Sequence, residues 1–380
     1  MKRIVILGGG FAGVWGAIGA ARALADAGRA DAGGEGAVEI ALVNPDPWLV
    51  IRPRLYEPDP ARFRVALDPV LGPSGVRRIE GRATAIDPEG RTVTVDGATI
   101  GWDRLVLALG SRLTPPEGPV HSVDDYAAAV ALETHLRALD PALPGADTAV
   151  VVGGGFTGIE TAAELKGRLA RVVLVERAET MAPDLGDLPR PTILRALADL
   201  GVETRTGARI ATIGPDCMMF SNSERLTTRT VVWCAGPRAH PLAGTLGVPT
   251  DAQGRLPVDD RLGVVGLQGI LAAGDVARAS TDGRNVALMS CQHALRQGAA
   301  VGRIAAEELL GLDPEPYAQP RYVTCLDLGA WGALLTEGWE RRVKQSGAEA
   351  KAVKRRINGE WIYPPAGDRA AVLKAVDFAR

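Results

Sequence analysis

The feature that most constrains this chain is a strand that runs directly into a glycine-rich turn and then into an alanine-rich helix. Residues 3–13 read RIVILGGGFAG, in which an apolar run meets glycines at positions 8, 10 and 13. In this order the first glycine permits a sharp turn, the second lets a pyrophosphate approach the backbone, and the third brings the helix close to the strand. The segment predicts a dinucleotide-binding loop, although a single copy of the motif is a weak indicator.

A near-copy of this segment lies 145 positions further along the chain. The sequence TAVVVGGGFTGIETAAEL places Gly153, Gly155 and Gly158 at the spacing of the first three glycines. A repeated strand–turn–helix unit predicts two dinucleotide-binding halves. Glu176 follows the next strand, 18 residues beyond Gly158, where an acid that binds the ribose hydroxyls is expected. A carboxylate there favours NADH, whereas the neighbouring Arg177 leaves NADPH as an alternative donor.

The first copy departs from the fingerprint at the end of its second strand. The strand VEIALV, residues 38–43, is followed by Asn44 where an acid is expected. An amide can bond a ribose hydroxyl but lacks the charge-assisted strength of a carboxylate. Two interpretations of Asn44 therefore stay open, a ribose contact and a turn former before Pro45.

Composition and cysteine spacing argue against several classes of protein. The formal net charge is -2, so no global basic field favours nucleic acid. The four cysteines, at positions 217, 234, 291 and 325, contain no C-x-x-C pair, which argues against a zinc site, a disulfide scaffold and a redox-active cysteine pair. We expect no metal, a reducing cytoplasmic location, no signal peptide and no membrane span, because no apolar run reaches about 18 residues.

The rest of the chain alternates between strands and helices with glycine and proline boundaries. Residues 28–36 are predicted as a surface connection, residues 75–101 as a meander of short antiparallel strands, and residues 285–310 as one long helix. Residues 341–356 are dense in Arg and Lys, which predicts a solvated face, with contact to an anionic membrane surface as the alternative. Arg52 lies in a mixed loop and is interpreted either as solvated or as part of a cofactor-site wall.

Three further motifs follow the glycine loops in a characteristic order. Ala108-Leu109-Gly110-Ser111 ends one strand, VVWCAG ends another at Gly236, and GILAAGD places Asp275 after a third. Over residues 3–310 this order resembles the pyridine nucleotide-disulfide oxidoreductase superfamily, in its form with two dinucleotide-binding domains. The resemblance implies an α/β fold with two Rossmann-like domains. A discontinuous FAD-binding domain (1–114 and 237–318) would contain an inserted NAD(P)H-binding domain (115–236), followed by a small C-terminal segment (319–380).

The resemblance also implies cofactors and the residues that hold them. FAD is expected on the first loop and the Gly-Asp turn, and NADH on the second loop. The residues implied are Gly8, Gly10, Phe11, Ala12, Gly13, Asn44, Arg52, Ala108, Gly110, Gly274 and Asp275 for FAD, and Gly153, Gly155, Thr157, Gly158, Glu176 and Gly236 for the nicotinamide nucleotide. Glu160 falls on a family glutamate near the contact between flavin and nicotinamide. Trp15 occupies the corresponding position of the first copy, so the first loop is expected to hold a permanent FAD and the second a visiting nucleotide.

Within the superfamily, the chain is most similar to type II NADH dehydrogenases, without their apolar membrane anchor. GGGFTGIETAAEL and VVWCAGPRAHPL resemble their motifs, and CQHALRQG, residues 291–298, is similar to the stretch that borders their quinone site. There Gln292 and Gln297 fall on family glutamines, whereas Cys291 and Arg296 depart from the pattern. The alternative for both glutamines is a polar helix face without a ligand.

The resemblance therefore implies a FAD-dependent NAD(P)H dehydrogenase that passes hydride from NADH to FAD. Electrons would then leave the flavin directly for a small acceptor such as a quinone, without a redox disulfide. The expected partners are NAD(P)H and that acceptor, with no nucleic acid, and the protein would be cytoplasmic or peripheral at the inner membrane surface. Two alternatives stay open. One is a soluble reductase of the ferredoxin or rubredoxin type, with the basic C-terminal stretch as its docking patch. The other is a non-turnover flavoprotein that senses NADH.

Overall fold

The computed structural model describes residues 1–29 and 37–378, so most of the predicted surface connection at 28–36 lies outside the described residues. Both helices and strands occur along this part of the chain. The helices are α1 (Phe11–Asp26), α2 (Asp68–Leu71), α3 (Tyr126–Ala138), α4 (Phe156–Lys166), α5 (Arg190–Leu200), α6 (Cys291–Leu309), α7 (Gly347–Arg356) and α8 (Arg369–Lys374). The strands are β1 (Lys2–Leu7), β2 (Val38–Asn44), β3 (Trp48–Val50), β4 (Arg64–Ala66), β5 (Arg77–Glu80), β6 (Ala83–Asp87), β7 (Thr92–Val95), β8 (Ala98–Gly101), β9 (Arg104–Leu107), β10 (Ser111–Arg112), β11 (Thr148–Val152), β12 (Arg171–Val175), β13 (Glu203–Arg205), β14 (Ile210–Ile213), β15 (Cys217–Phe220), β16 (Arg225–Thr227), β17 (Thr230–Trp233), β18 (Arg238–Ala239), β19 (Leu256–Pro257), β20 (Ile270–Ala272), β21 (Ala277–Arg278), β22 (Val323–Asp327), β23 (Ala333–Glu337) and β24 (Arg342–Ser346).

Two parallel sheets form the frame of the molecule. The first has the strand order β20-β9-β1-β2-β5 and the second β13-β12-β11-β17. Residues 4–7 of β1 and all of β11 are buried on both faces, as central strands of a sheet covered on both sides must be. The chain leaves the first sheet after β9, builds the second sheet, and returns to the first at β20. The predicted fold class, two Rossmann-like units with one inserted in the other, is confirmed, while the residue limits of the domains stay predictions.

Helices α1 and α6 lie against each other closely enough that their contacts require glycine. A Cβ added to Gly302 would lie 1.8 Å from the carbonyl oxygen of Gly16, and one added to Gly298 would lie 2.5 Å from that of Ala12. The backbones of the two helices are therefore in direct contact. This packing fixes the N-terminal turn of α6 beside the first glycine loop.

Two predicted elements differ from the structure. Within residues 75–101, β5 pairs in parallel with β2, and only β6, β7 and β8 form the antiparallel meander. A two-residue side-chain period is common to parallel and antiparallel strands, so the pattern could not decide the pairing. The long helix begins at Cys291 rather than 285, because the Ser290 hydroxyl accepts from the amide of His293 and caps it. Asn285 instead donates its amide to Asp282 Oδ1 at 2.7 Å in a turn.

The C-terminal part of the chain forms an antiparallel sheet, β22-β23-β24, with α7 packed across it. Beyond α7 the chain returns to the first half of the molecule. Arg54 Nη1 donates to the Tyr363 hydroxyl at 3.2 Å, and the Gly367 amide donates to the carbonyl of Pro69 at 2.8 Å. None of the helices in residues 1–29 and 37–378 is long and apolar enough to span a membrane.

Candidate active site

The first and third glycines of each loop are required by close backbone contacts. Gly8 has a φ of +110°, and a Cβ there would lie 2.3 Å from the carbonyl oxygen of Ala108. A Cβ on Gly13 would lie 1.8 Å from the carbonyl oxygen of Gly8. The second copy repeats this geometry, with a φ of +109° at Gly153 and the same 1.8 Å approach at Gly158. The two loops are therefore structural equivalents, and neither tolerates a side chain at these positions.

The second glycine of the first loop faces open space. A Cβ on Gly10 would have no heavy atom within 4 Å, and the φ of -79° at this residue is one that any amino acid adopts. Helix α1 begins after Gly10, and α4 begins after Gly155, with no side-chain cap and no acid in the first turn. By contrast, α3 and α6 are capped by Asp125 and Ser290. The free N–H groups and the positive end of each helix dipole fit a pyrophosphate on each loop.

Asn44 and Glu176 occupy equivalent positions beneath the two loops. Asn44 Oδ1 accepts from the amide of Gly9, and Glu176 Oε2 accepts from the amide of Gly154, both at 2.8 Å. Asn44 Nδ2 also donates to the carbonyl of Asp46 at 2.8 Å, a contact that supports the turn-forming interpretation. The predicted ribose contacts of Asn44 and Glu176 stay predictions.

The Gly-Asp turn lies directly against the first loop. A Cβ on Gly274 would lie 2.9 Å from the Cβ of Ala12. Asp275 Oδ2 accepts from the Ser111 hydroxyl at 2.6 Å and lies 3.6 Å from Arg52 Nη1. Arg52 Nη2 is 2.5 Å from Asp124 Oδ1. Arg52 is therefore paired with acids beside the Gly-Asp turn, rather than simply solvated.

Asp124 links this network to the connection between the two parallel sheets. It pairs with Arg52, and its Oδ2 accepts from the amide of Leu113. Burial lowers the pKa of the Arg52 guanidinium, but Asp124 and Asp275 outweigh this effect and raise it overall. A permanent cation is therefore held beside the Asp275 carboxylate.

Glu160 forms a buried ion pair with a residue of the C-terminal segment. Glu160 Oε1 accepts from Lys354 Nζ at 2.8 Å and from the amide of Asp327 at 2.9 Å. The side chains of Glu160 and Lys354 are 4% and 6% exposed. Burial raises the pKa of the Glu160 carboxyl, and the Lys354 ammonium opposes part of that rise. Burial lowers the pKa of Lys354, but Glu160 outweighs burial and raises it overall.

This pair corrects the expectation that the basic stretch 341–356 presents a solvated face. Lys354 reaches Glu160, and Lys351 bonds to Asp327 and to the carbonyl of Gly329. Arg355 and Arg356 on the same helix remain exposed. Sequence reasoning missed Lys354 because it lies in a run of charges, although its four-residue spacing from the buried Ala350 places both on one helix face.

The cysteines near this pair are not poised for thiolate chemistry. All four cysteines are free. Burial raises the pKa of Cys291 and Cys325 to about 11 and that of Cys234 to about 12. These three thiols are therefore protonated at neutral pH.

The residues predicted to line an acceptor site have different environments. Gln297 is 1% exposed, and its Oε1 accepts from the amide of Gly274 at 2.7 Å, so its amide oxygen supports the Gly-Asp turn. Gln292 is half-buried in the first turn of α6.

Of the other predicted residues, Phe11 is buried against Trp15 and Thr157 is exposed. The turn glycines Gly110 and Gly236 have similar positive φ values, +71° after β9 and +73° after β17.

Comparison with known proteins identifies the family of this chain. The model of the pyridine nucleotide-disulphide oxidoreductase family matches residues 2–298. The chain is 45% identical to the NADH dehydrogenase-like protein MT1860 of Mycobacterium tuberculosis (strain CDC 1551 / Oshkosh), over 99% of this chain and 98% of that protein. It is 27% identical to demethylphylloquinone reductase NdbB of Synechocystis (strain ATCC 27184 / PCC 6803 / Kazusa), over 96% and 97% of the two chains.

A solved structure has the same fold. The sulfide:quinone oxidoreductase of the hyperthermophilic bacterium Aquifex aeolicus superposes with a TM-score of 0.78 at 18% identity, over 99% of this chain and 92% of that one. The predicted superfamily and the likeness to NADH dehydrogenase-like proteins are both confirmed. The chain belongs to the pyridine nucleotide-disulphide oxidoreductase family.

Proposed function

We propose that this oxidoreductase takes hydride from NADH onto FAD and passes the electrons directly to a quinone or a similar small acceptor. The observation that carries the proposal is the pair of matched glycine loops, each with an uncapped helix N-terminus above it. The names of two full-length relatives, an NADH dehydrogenase-like protein and a demethylphylloquinone reductase, support this reaction class. The proposal includes no redox disulfide, because the cysteines at positions 217, 234, 291 and 325 form no C-x-x-C pair.

The first loop would hold FAD, which supplies the hydride chemistry when bound. The open space above Gly10 and the N–H groups of α1 would take the pyrophosphate. Asp275 would accept a hydrogen bond from a hydroxyl of the flavin side chain. Its Oδ2 is held by Ser111 and faces Arg52, and its Oδ1 has no hydrogen bond within residues 1–29 and 37–378.

The second loop would bind NADH. The Glu176 carboxylate is anchored by the amides of Gly154 and Ala178, both at 2.8 Å, which fixes it at the end of β12. A carboxylate held in this position would accept from a free 2′-hydroxyl and repel a 2′-phosphate. We therefore expect NADH to be preferred over NADPH.

Glu160 would lie where the two bound nucleotides meet. Its Oε1 is occupied by Lys354 and the amide of Asp327, whereas its Oε2 has no hydrogen bond in the described part of the chain. That second oxygen would bond the nicotinamide amide or hold a proton near the flavin edge. Lys354 keeps the carboxylate oriented and partly compensates its charge.

The proposal is tested by the visible spectrum of the purified protein and by anaerobic reduction with NADH and with NADPH. A panel of quinones, ferricyanide and a ferredoxin then identifies the acceptor. Rapid oxidation by quinone, and not by ferredoxin, is expected, since Lys354 is buried against Glu160 and Lys351 is paired with Asp327, which leaves fewer free cations for a basic docking patch. A colourless protein that binds no added FAD would refute the assignment.

A matched pair of glycine variants tests where FAD binds. Gly10→Val should fold but lose bound flavin, because a Cβ there meets no heavy atom within 4 Å and the valine side chain would occupy the open space above the loop. Gly244→Val is the control, because Gly244 is also exposed and a Cβ there also meets nothing within 4 Å. Flavin content and circular dichroism of both variants separate lost binding from misfolding. Equal flavin retention in both would exclude Gly10 from the site.

A further inference from the structure

The face of α6 next to the proposed acceptor site carries an unexpected cation. Gln292 and Arg296 are four residues apart and therefore share one face of the helix, and both side chains are half-buried. In the motif that resembles type II dehydrogenases, position 296 is a glutamine. This chain thus has a guanidinium where a neutral amide is expected.

Arg296 has no anionic partner within residues 1–29 and 37–378, since no carboxylate oxygen lies within 4.0 Å of its guanidinium. Its guanidinium carbon lies 4.9 Å from the ring centroid of Phe378. Arg303 on the same face provides a contrast, because its Nη1 is 2.5 Å from Glu307 Oε2 and its Nη2 donates to the carbonyl of Glu315 at 2.7 Å. The charge of Arg303 is compensated by Glu307, whereas the residues that the structure describes supply no carboxylate to Arg296.

The surroundings of Arg296 make a bound anion favourable. Burial lowers the pKa of Arg296, Tyr317 opposes part of that effect, and the like charge of Arg321 lowers the pKa by a smaller amount. The group stays charged at neutral pH, since guanidinium pKa values exceed about 12. The contact with the Phe378 ring supplies no hydrogen-bond acceptor of carboxylate type, and the N–H donors of a guanidinium lie in its plane. A planar fork of donors with no carboxylate partner among the described residues matches a carboxylate or sulfonate.

We propose that Arg296 selects an electron acceptor that carries an acidic group, namely a quinone with a carboxylate or sulfonate substituent on its ring. The anionic group binds the guanidinium fork, and Gln292, one turn closer to the N-terminus of α6, binds a ring carbonyl. This inference rests on the proposed function, because it requires the acceptor to lie beside the first turns of α6.

The test compares naphthoquinone with a ring-sulfonated naphthoquinone at saturating NADH. The sulfonated quinone should have the higher kcat/KM in the unmodified holoenzyme. Arg296→Gln should reduce the preference for it by about 10- to 100-fold, the usual effect of a lost charge-assisted hydrogen bond. Arg296→Lys should keep part of the preference, since it retains the charge without the fork. Arg303→Gln is the matched control on the same helix face and should keep the full preference.

A binding measurement without NADH separates this inference from the proposed function. Tryptophan fluorescence of the oxidised holoenzyme is titrated with the sulfonated quinone, and Arg296→Gln should raise its Kd by a similar factor. An unchanged Kd, or an equal loss for both quinones, would overturn the selective role of Arg296. If no quinone oxidises the NADH-reduced protein, the proposed function fails, and the binding titration still decides whether Arg296 recognises the anion. Flavin content and circular dichroism verify that each variant is folded.

Discussion

Removing Lys354 should show how the C-terminal segment supports the site. Lys354→Met leaves the Glu160 carboxylate buried with a single hydrogen bond, from the amide of Asp327. Deleting one partner of a buried ion pair usually costs about 3–5 kcal/mol of stability, because the remaining charge is uncompensated. Both side chains here are less than a tenth exposed, so solvent screening should reduce this cost little.

The loss of stability should depend on pH, because protonation of Glu160 removes the uncompensated charge. Burial already holds its pKa above the unfolded value of 4.5, and loss of Lys354 should raise it further. As pH rises, the unfolded chain gives up this proton first, and the folded variant loses about 1.4 kcal/mol of stability per pH unit until its own pKa is reached. The destabilisation of Lys354→Met relative to the parent should therefore be larger at pH 9 than at pH 6.

Urea unfolding of the holoenzyme at both pH values, followed by far-ultraviolet circular dichroism, measures this effect. Glu160→Gln combined with Lys354→Met should recover most of the loss, since a neutral amide still accepts from Asp327. Lys351→Met is the control and should cost less than about 1 kcal/mol, because its pair with Asp327 is more exposed. Equal destabilisation at pH 6 and pH 9, or a double variant no more stable than Lys354→Met, would refute the reasoning.

Three further predictions address the second loop and a buried histidine. Gly158→Ala should abolish reduction by NADH in anaerobic titration while FAD stays bound, because its Cβ would lie 1.8 Å from the Gly153 carbonyl; normal reduction would contradict the loop geometry. Glu176→Ala should raise the KM for NADH far more than it changes kcat, since it removes binding shared by ground and transition states; an unchanged KM would reject the assignment. Burial lowers the pKa of His293 to about 4, so as the pH falls from 6.5 to 4 the unfolded chain binds a proton at this residue and the folded chain does not. The free energy of unfolding should therefore fall by about 1.4 kcal/mol for each pH unit of acidification in this range. His293→Gln should make the urea midpoint decline less steeply with falling pH, and identical slopes for parent and variant would exclude His293 as the cause.

Features that depend on local backbone geometry could be predicted from the sequence. The order of strand, three spaced glycines and helix defined both loops, because positive φ values and backbone contacts below 3 Å leave no alternative to glycine at Gly8, Gly13 and their copies. The repeat of this unit, together with the family resemblance, indicated the fold class. The position of Glu176 after β12 followed from the same local unit.

Pairing between elements was harder to predict. The strand Arg77–Glu80 lies in a stretch that was predicted as an antiparallel meander, yet it extends the parallel sheet beside β2. Its partner was decided by which edge of the sheet was available, and a local pattern does not carry that information. Asn44 shows the same limit, since its bond to Gly9 spans 35 residues and makes it the counterpart of Glu176.

By itself, the sequence determined the two glycine loops, the family and the order of the motifs, since each depends on residues that are neighbours in the chain. Only the tertiary structure decided that Lys354, 194 residues from Glu160, is its ion-pair partner. In sequence Lys354 is one of several cations in a basic run, and such runs are usually solvated. Packing of α7 and its sheet against α4 removes this one lysine from water, and the desolvated charge then requires the buried carboxylate as its partner.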